Sequence, residues 1–292
     1  MFLAHLDVFP AYEHPEAFTP RLQGTELIGR GAVDTKGQIA ALLVALFATR
    51  GPAEVALVVD EEHLGRGSES LQVRPETPGA VVLEPTGLRI APAEAGSIGL
   101  AVLATGTPAH GTMPWRGRSA IEHGFSLYRK LRRLPFMKHH HTLFDRGAWV
   151  NLGRIHGGYD TMVVPNRCEL DMDIGFAPGL TAAAVEEVVR EALSKAEAVQ
   201  ITDIWEPWET DPGAEIIESL AHALRAVLGE QPKQWGMPSW TDGAHLVQKG
   251  VPTVIFGAGD LAVAHTWRES LPLSELHVMS KVLSRLISSG HR

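Results

Sequence analysis

Cysteine is almost absent: Cys168 is the only one among 292 residues. A single thiol excludes an internal disulfide and leaves no basis for a sulfur-rich structural zinc site. Long apolar runs are also missing, and none is long enough to span a bilayer. The opening MFLAHLDVFP has no basic stretch and reaches Asp7 too early for a secretory signal, so a cytoplasmic protein is expected. Positive charge is in deficit, 26 Lys and Arg against 34 Asp and Glu, giving a net charge of −8. That balance argues against nucleic acid or an anionic membrane as partner. Repeats and low-complexity tracts are lacking too. What remains is an ordinary soluble composition, with length for one large domain or two modest ones.

Short apolar runs alternate with helical patterns in the first third. Residues 2–6, 54–59 and 80–83 read as strands, and Gly37–Ala48 as a mostly apolar, hence buried, helix. Glycine-rich joints between them suggest an α/β sheet covered by helices. The style changes near Glu94. Residues 97–105, 149–156, 162–176 and 200–205 read as strands. Residues 118–134 and 181–198 read as helices, with Thr181 as an N-cap. Two helices on one face of an antiparallel sheet would make a compact insertion. After Pro207 the α/β style returns, with helices at 211–228 and 272–288 and a buried strand at 251–256. The expected organisation is a discontinuous domain, 1–94 with 208–292, and an inserted α+β domain, 95–207.

Two imidazoles and five carboxylates sit at the ends of these apolar runs or beside glycines. They are His5, Asp7, Asp34, Glu61, Glu62, Glu84 and His265, in the strings AHLDVFP, GRGAVDTKG, VVDEEHLGRGS, VVLEPTG and VAHTW. Hard and borderline divalent cations take such nitrogen and oxygen ligands. Singly, each has a plainer reading. His5 and Asp7 are two apart on a strand and make a structural pair. Asp34 caps a helix, and Glu61 with Glu62 forms a solvated acidic turn. The run Lys138–His141 reads as a solvated loop. Together, the five strings in order point to a two-metal hydrolase.

HLDVFP, GRGAVDTKG, DEEHLGRGS, LEPT, GTPAHGTMPWRGRSA, SWTDGAHL and FGAGDLAVAHT resemble a known family over nearly the whole chain. It is the dinuclear metallohydrolase family of aminoacylase, acetylornithine deacetylase, succinyl-diaminopimelate desuccinylase and glutamate carboxypeptidase. The closing strings most resemble acetylornithine and acetylcitrulline deacetylases. The resemblance implies a mixed-sheet catalytic domain with an inserted lid that also dimerises, and two divalent cations, zinc or cobalt. His5, Asp34 and Glu84 would hold one ion, and Asp34, Glu62 and His265 the other. Asp7 would orient the ligands, Glu61 act as general base, and His110 assist the carbonyl oxygen across a homodimer interface. The peptide bond after Asp34 would be cis. The implied substrate is a small N-acyl amino acid, N-acetylornithine in arginine biosynthesis or a relative. A carboxypeptidase or dipeptidase acting on peptides is the alternative within the family, and a non-catalytic binding protein the alternative outside it.

The chain departs from the family's pattern in three places. The helix and strand that usually precede the HLD strand are missing, which would expose apolar sheet and helix surface. Met162 stands in place of a substrate-binding Asn. Gly175 stands in place of an Arg that clamps the substrate carboxylate, a task glycine cannot perform. Restoring Arg at 175 and Asn at 162 would be expected to tighten binding, unless Arg116, Arg118 or Arg167 already supplies the contact.

Overall fold

The computed structural model describes residues 1–289. Strands are β1 Phe2–His5, β2 Arg21–Gln23, β3 Glu26–Ile28, β4 Val55–Val58, β5 Ala80–Val82, β6 Ile90–Glu94, β7 Gly96–Thr105, β8 Ala148–Gly157, β9 Arg167–Phe176, β10 Ala198–Trp205, β11 Trp208–Glu209, β12 Gln234–Met237, β13 Thr253–Ile255 and β14 Ser270–Pro272. Helices are α1 Gly37–Ala48, α2 Arg66–Ser70, α3 Ala120–Leu131, α4 Ala182–Ala192, α5 Glu215–Leu228, α6 Gly243–Gln248 and α7 Leu273–Ser289. The α/β class expected from the sequence is the class observed.

The chain divides into two compact units. The larger comprises Met1–Ala93, Glu209–Met237 and the chain from Thr241 on; the smaller comprises Glu94–Trp208 with Pro238–Trp240. The main sheet runs β11-β6-β13-β5-β1-β4, with β12 also on β6. β1 is flanked by β4 and β5, both parallel to it, and β13 runs parallel to β5. Parallel strands need covering on both faces, hence the near-continuous apolar character of β1 and β5. The core under them joins Leu42 and Ala45 of α1 to Leu220 and Leu224 of α5 and to Val282 and Leu283 of α7. β4 lies at the sheet edge. Its exposed residues and one face of α1 leave Val44, Phe47 and Leu57 in solvent, Phe47 at 90% exposure.

The smaller unit is a four-stranded antiparallel sheet, β10-β7-β9-β8, with α3 and α4 packed on one face. Period-two alternation puts Ile98, Leu100 and Val102 of β7 and Leu170, Met172 and Ile174 of β9 toward the helices. Ser119 and Thr181 cap their helices, accepting from the amides of Glu122 and Ala184 at 3.3 Å each. Two element boundaries differ from the sequence reading by five residues or more. The strand expected at 162–176 begins only at Arg167. Met162 is held in a turn by the Asp160 carboxylate, and Pro165 has no N–H to donate to a ladder. The helix expected at 181–198 ends at Ala192, and Ala198 pairs instead with Leu103 at the start of β10.

Leu170 is fully buried between sheet and helices. Leu170→Ala is expected to destabilise the protein by about 2–5 kcal/mol through lost burial and the cavity left behind. Denaturant unfolding checks this, and a loss below ~1 kcal/mol would show that the helices close over the gap.

Candidate metal centre

The parallel strands deliver their C-terminal ends to one edge of the sheet, where ligands collect in open α/β folds. His5 is the last residue of β1 and Glu84 lies two past β5. Glu61 and Glu62 lie in the turn after β4. Asp34 sits in a tight turn entering α1, and His265 in the loop beyond β13. The turn at Asp34 is close-packed: a Cβ on Gly37 would lie 2.2 Å from Leu271 and 2.4 Å from the Ala32 carbonyl oxygen. The Asp34–Thr35 peptide bond is cis. Gln38, fully buried, donates to the Val33 and Ala258 carbonyls and accepts from the Ala258 amide, tying this turn to the loop that carries His265.

Asp34 stands at the centre. Its Oδ1 is 2.9 Å from His5 Nε2, and its Oδ2 is 3.2 Å from His265 Nε2. Glu84 Oε1 lies 3.4 Å from the same His5 nitrogen, and Glu62 Oε2 lies 3.0 Å from that of His265. Ligand atoms of His5, Asp34 and Glu84 lie within 4.8 Å of one another, and so do those of Asp34, Glu62 and His265. Asp7 steers both groups. The His5 Nδ1–H donates to the Asp7 carbonyl at 3.2 Å, which directs Nε2 toward Asp34. The Asp7 carboxylate accepts from the Glu62 amide at 3.1 Å.

The electrostatics are those of a site built for cations. Burial acts to raise the Glu84 carboxyl, the charge of Asp34 adds to it, and the group is pushed up to about 8. Desolvation, then Glu84, drives Glu61 well above the ordinary carboxylate range. Burial works against the charged form of His265, but its hydrogen bonds to Asp34 and Glu62 prevail and raise it to about 9. His5 is raised further: burial opposes this, while Glu84, Asp34 and Asp7 favour the imidazolium. Burial also opposes the ionised form of Asp7, yet His5 and the Glu62 amide hold its carboxyl down to about 2. Glu62 Oε1 and Asp7 Oδ1 are buried without a hydrogen-bond partner. Carboxylates and imidazoles gathered this closely, with buried oxygens lacking partners, fit divalent cations.

The remaining sequence candidates belong to the smaller unit. His110 is exposed on the smaller unit, in a loop bridged to Val163, with Nδ1 2.9 Å from Thr112 Oγ1. His139 and His141 are engaged in loop packing, His139 Nε2 lying 2.8 Å from the Pro178 carbonyl and His141 Nδ1 accepting from the Leu143 amide. Arg167 is paired with Glu169, and Arg118 donates to the Thr105 carbonyl. The sequence reading did not single out Gln38, Arg30 or Glu269. Only the last two left a signal, opposite charges flanking Asp34 and His265.

Residues 1–289 match the family model described as peptidase family M20/M25/M40. An acetylornithine deacetylase of Myxococcus xanthus is 30% identical over 308 residues, covering 98% of this chain and 78% of that protein. The crystal structure of an aminopeptidase from Bacillus cereus matches with a TM-score of 0.74 at 19% identity, over 100% of this chain and 80% of the other. An M20 family metallo-carboxypeptidase from Sulfolobus solfataricus gives 0.76 at 15% identity, over 98% and 83%.

In the metal-free chain at pH 7, His5, His265 and Glu84 carry protons, because their pKa values lie above 7. Those protons must leave before a cation binds. Zinc binding is therefore expected to release protons, and its apparent affinity to climb with pH through about 9, where His265 titrates, and on above it while His5, raised further, still holds its proton. Calorimetry in two buffers of different ionisation enthalpy reads the release. A binding heat independent of buffer would refute the shifted protonation states.

Proposed function

Because the chain belongs to peptidase family M20/M25/M40, we propose that it is a dinuclear enzyme that removes the acyl group from an N-acyl amino acid, N-acetylornithine or a close relative. That it is a metal-dependent amidohydrolase follows from the family itself. The observation that carries the two-ion reading is the Asp34 carboxylate, whose oxygens reach two separate imidazoles, each with its own glutamate. In this reading His5, Asp34 and Glu84 hold one cation, Asp34, Glu62 and His265 the other, and Asp7 orients both groups. Zinc or cobalt suits the mixed nitrogen and oxygen donors.

When bound, the cations would supply Lewis acidity and lower the pKa of the attacking water. Glu61 takes the proton of the attacking water and returns it to the leaving nitrogen. Burial, then the neighbouring Glu84, raises its pKa above the ordinary carboxylate range, the direction that strengthens it as a base. His110 donates to the carbonyl oxygen as charge develops there. We place the enzyme in the cytoplasm as a homodimer through the smaller unit. The open edge strand β8, half of whose residues are exposed, is suited to pairing with a second copy.

Gly175 bears on the substrate. It pairs with Trp149 across the sheet, and the indole lies over it, so that a Cβ at 175 would be 2.1 Å from the Trp149 ring. The expectation that arginine could simply be restored at 175 is therefore corrected: the aromatic ring fills the space. Gly175→Arg alone is expected to destabilise the smaller unit, whereas Trp149→Ala with Gly175→Arg leaves room for a guanidinium. If the carboxylate clamp is the missing contact, the double variant lowers KM for N-acetylornithine by about one to two decades. A KM unchanged in a folded double variant argues that another group already holds the carboxylate.

Glu61→Ala is expected to keep both ions and lose turnover by about 10²–10⁴-fold. Metal analysis of the purified variant, beside hydrolysis of a panel of N-acetyl amino acids and dipeptides, checks this. Near-normal turnover would remove Glu61 as general base. A panel response confined to dipeptides would replace deacetylation with peptidase activity. Mixing His110→Ala with Glu61→Ala chains tests sharing between subunits: activity regained in mixed dimers supports it, and none in dimers shown to form opposes it.

A further inference from the structure

Arg30 and Glu269 form an ion pair almost sealed from solvent, their side chains 3% and 2% exposed, with Nη1 to Oε2 at 2.6 Å. The small sheet explains why they meet. β14 pairs with β3 so that Ser270 faces Ile28, and the Gly29 amide donates to the Glu269 carbonyl at 3.2 Å. Glu269 directly precedes β14 and Arg30 follows β3 by two residues, so their side chains come together at the sheet's end. A buried ion pair is weak evidence for stability, since apolar replacements of similar volume often hold a fold equally well. What this pair supplies is direction. Arg30 occupies Oε2 of Glu269, leaving Oε1 to accept from the amides of Val33 at 3.2 Å and Asp34 at 3.4 Å. The Asp34 main chain is thereby held from outside its own turn.

The same guanidinium also reaches the other ligand segment. It lies over the Phe9 ring, 5.7 Å from the centroid, and Phe9 stacks on the His265 imidazole at 3.8 Å and 9°. His265 needs such support, because its φ of 61° is a left-handed conformation that a non-glycine residue holds only under constraint. Asp34 and His265, far apart in sequence, are thus gripped by one buried pair.

We propose that Arg30 and Glu269 are positioning residues for the Asp34–Glu62–His265 group, setting the Asp34 to His265 spacing on which the second cation depends. The inference rests on the two-ion reading above. His5 and Glu84 are anchored at or just past the ends of β1 and β5, so the first cation, which shares only Asp34 with this group, loses less than the second.

The test is a cobalt(II) titration of the metal-free protein, followed by visible absorption and by equilibrium dialysis for the number of ions bound. Wild type is compared with the apolar double variant Arg30→Met/Glu269→Met, with Glu269→Gln, which keeps an amide-accepting oxygen, and with Phe9→Leu. Circular dichroism and the melting temperature of each metal-free protein report the fold. The expected result is a second ion weakened about 10–100-fold in the double variant, with a smaller loss for the first ion. Partial rescue is expected in Glu269→Gln, with a smaller loss in Phe9→Leu. A folded double variant with wild-type affinity and spectrum for both ions overturns the proposal. If the double variant does not fold, unchanged second-ion affinity in both single variants overturns it. Wild type binding only one ion overturns the two-ion reading and this inference with it, whereas two ions in wild type and an unchanged second-ion affinity in every folded variant overturn this inference alone.

Discussion

The structure turns on one buried carboxylate. Asp34 is 8% exposed and gives one oxygen to His5 and the other to His265. Around it stand Glu61, Glu62 and Glu84, and charges of one sign so close together are costly away from water. Protons offset the cost in the metal-free chain, which is why Glu84 and the two histidines titrate so high. Divalent cations offset it in the working enzyme. The surrounding architecture keeps these groups together against their mutual repulsion.

Three devices do so. Parallel strands β4, β1 and β5 end side by side and present Glu62, His5 and Glu84 along one edge. Buried polar side chains then secure the segments that are not strands: Gln38 binds the Asp34 turn to the loop beyond β13, and Asp7 links His5 to the Glu62 amide. Finally, the Arg30–Glu269 pair holds the amides at Asp34 while Phe9 supports His265. Each device satisfies hydrogen-bonding groups that would otherwise be buried unmet, so the site's rigidity and the fold's polar accounting have the same origin.

The smaller unit follows a different logic. Its sheet is covered by α3 and α4 on one face only, so each strand alternates apolar and polar residues. That leaves an open face on which side chains can vary without disturbing the core. Trp149 lying over Gly175 is one such variation. There the indole takes the room that a charged side chain at 175 would need.

The strings that carry the candidate ligands, the α/β class and the helix cap at Thr181 were legible in the sequence, because each depends on local spacing and residue type. HLD on a strand and glutamates at the ends of apolar runs are short-range patterns. Of the boundaries that the sequence misplaced, the start of β9 at Arg167 follows the turn held by Asp160 and the Pro165 that cannot donate, and the end of α4 at Ala192 yields to the pairing of Ala198 with the distant Leu103. What only the tertiary structure decided is which ligand atoms share a site, since Asp34 and His265 meet through a sheet register formed between the two ends of the chain. It also decided that Arg30 faces Glu269 and that Trp149 closes over Gly175. Both are contacts across strands, and the side-chain pattern of one strand does not encode the register of its partner.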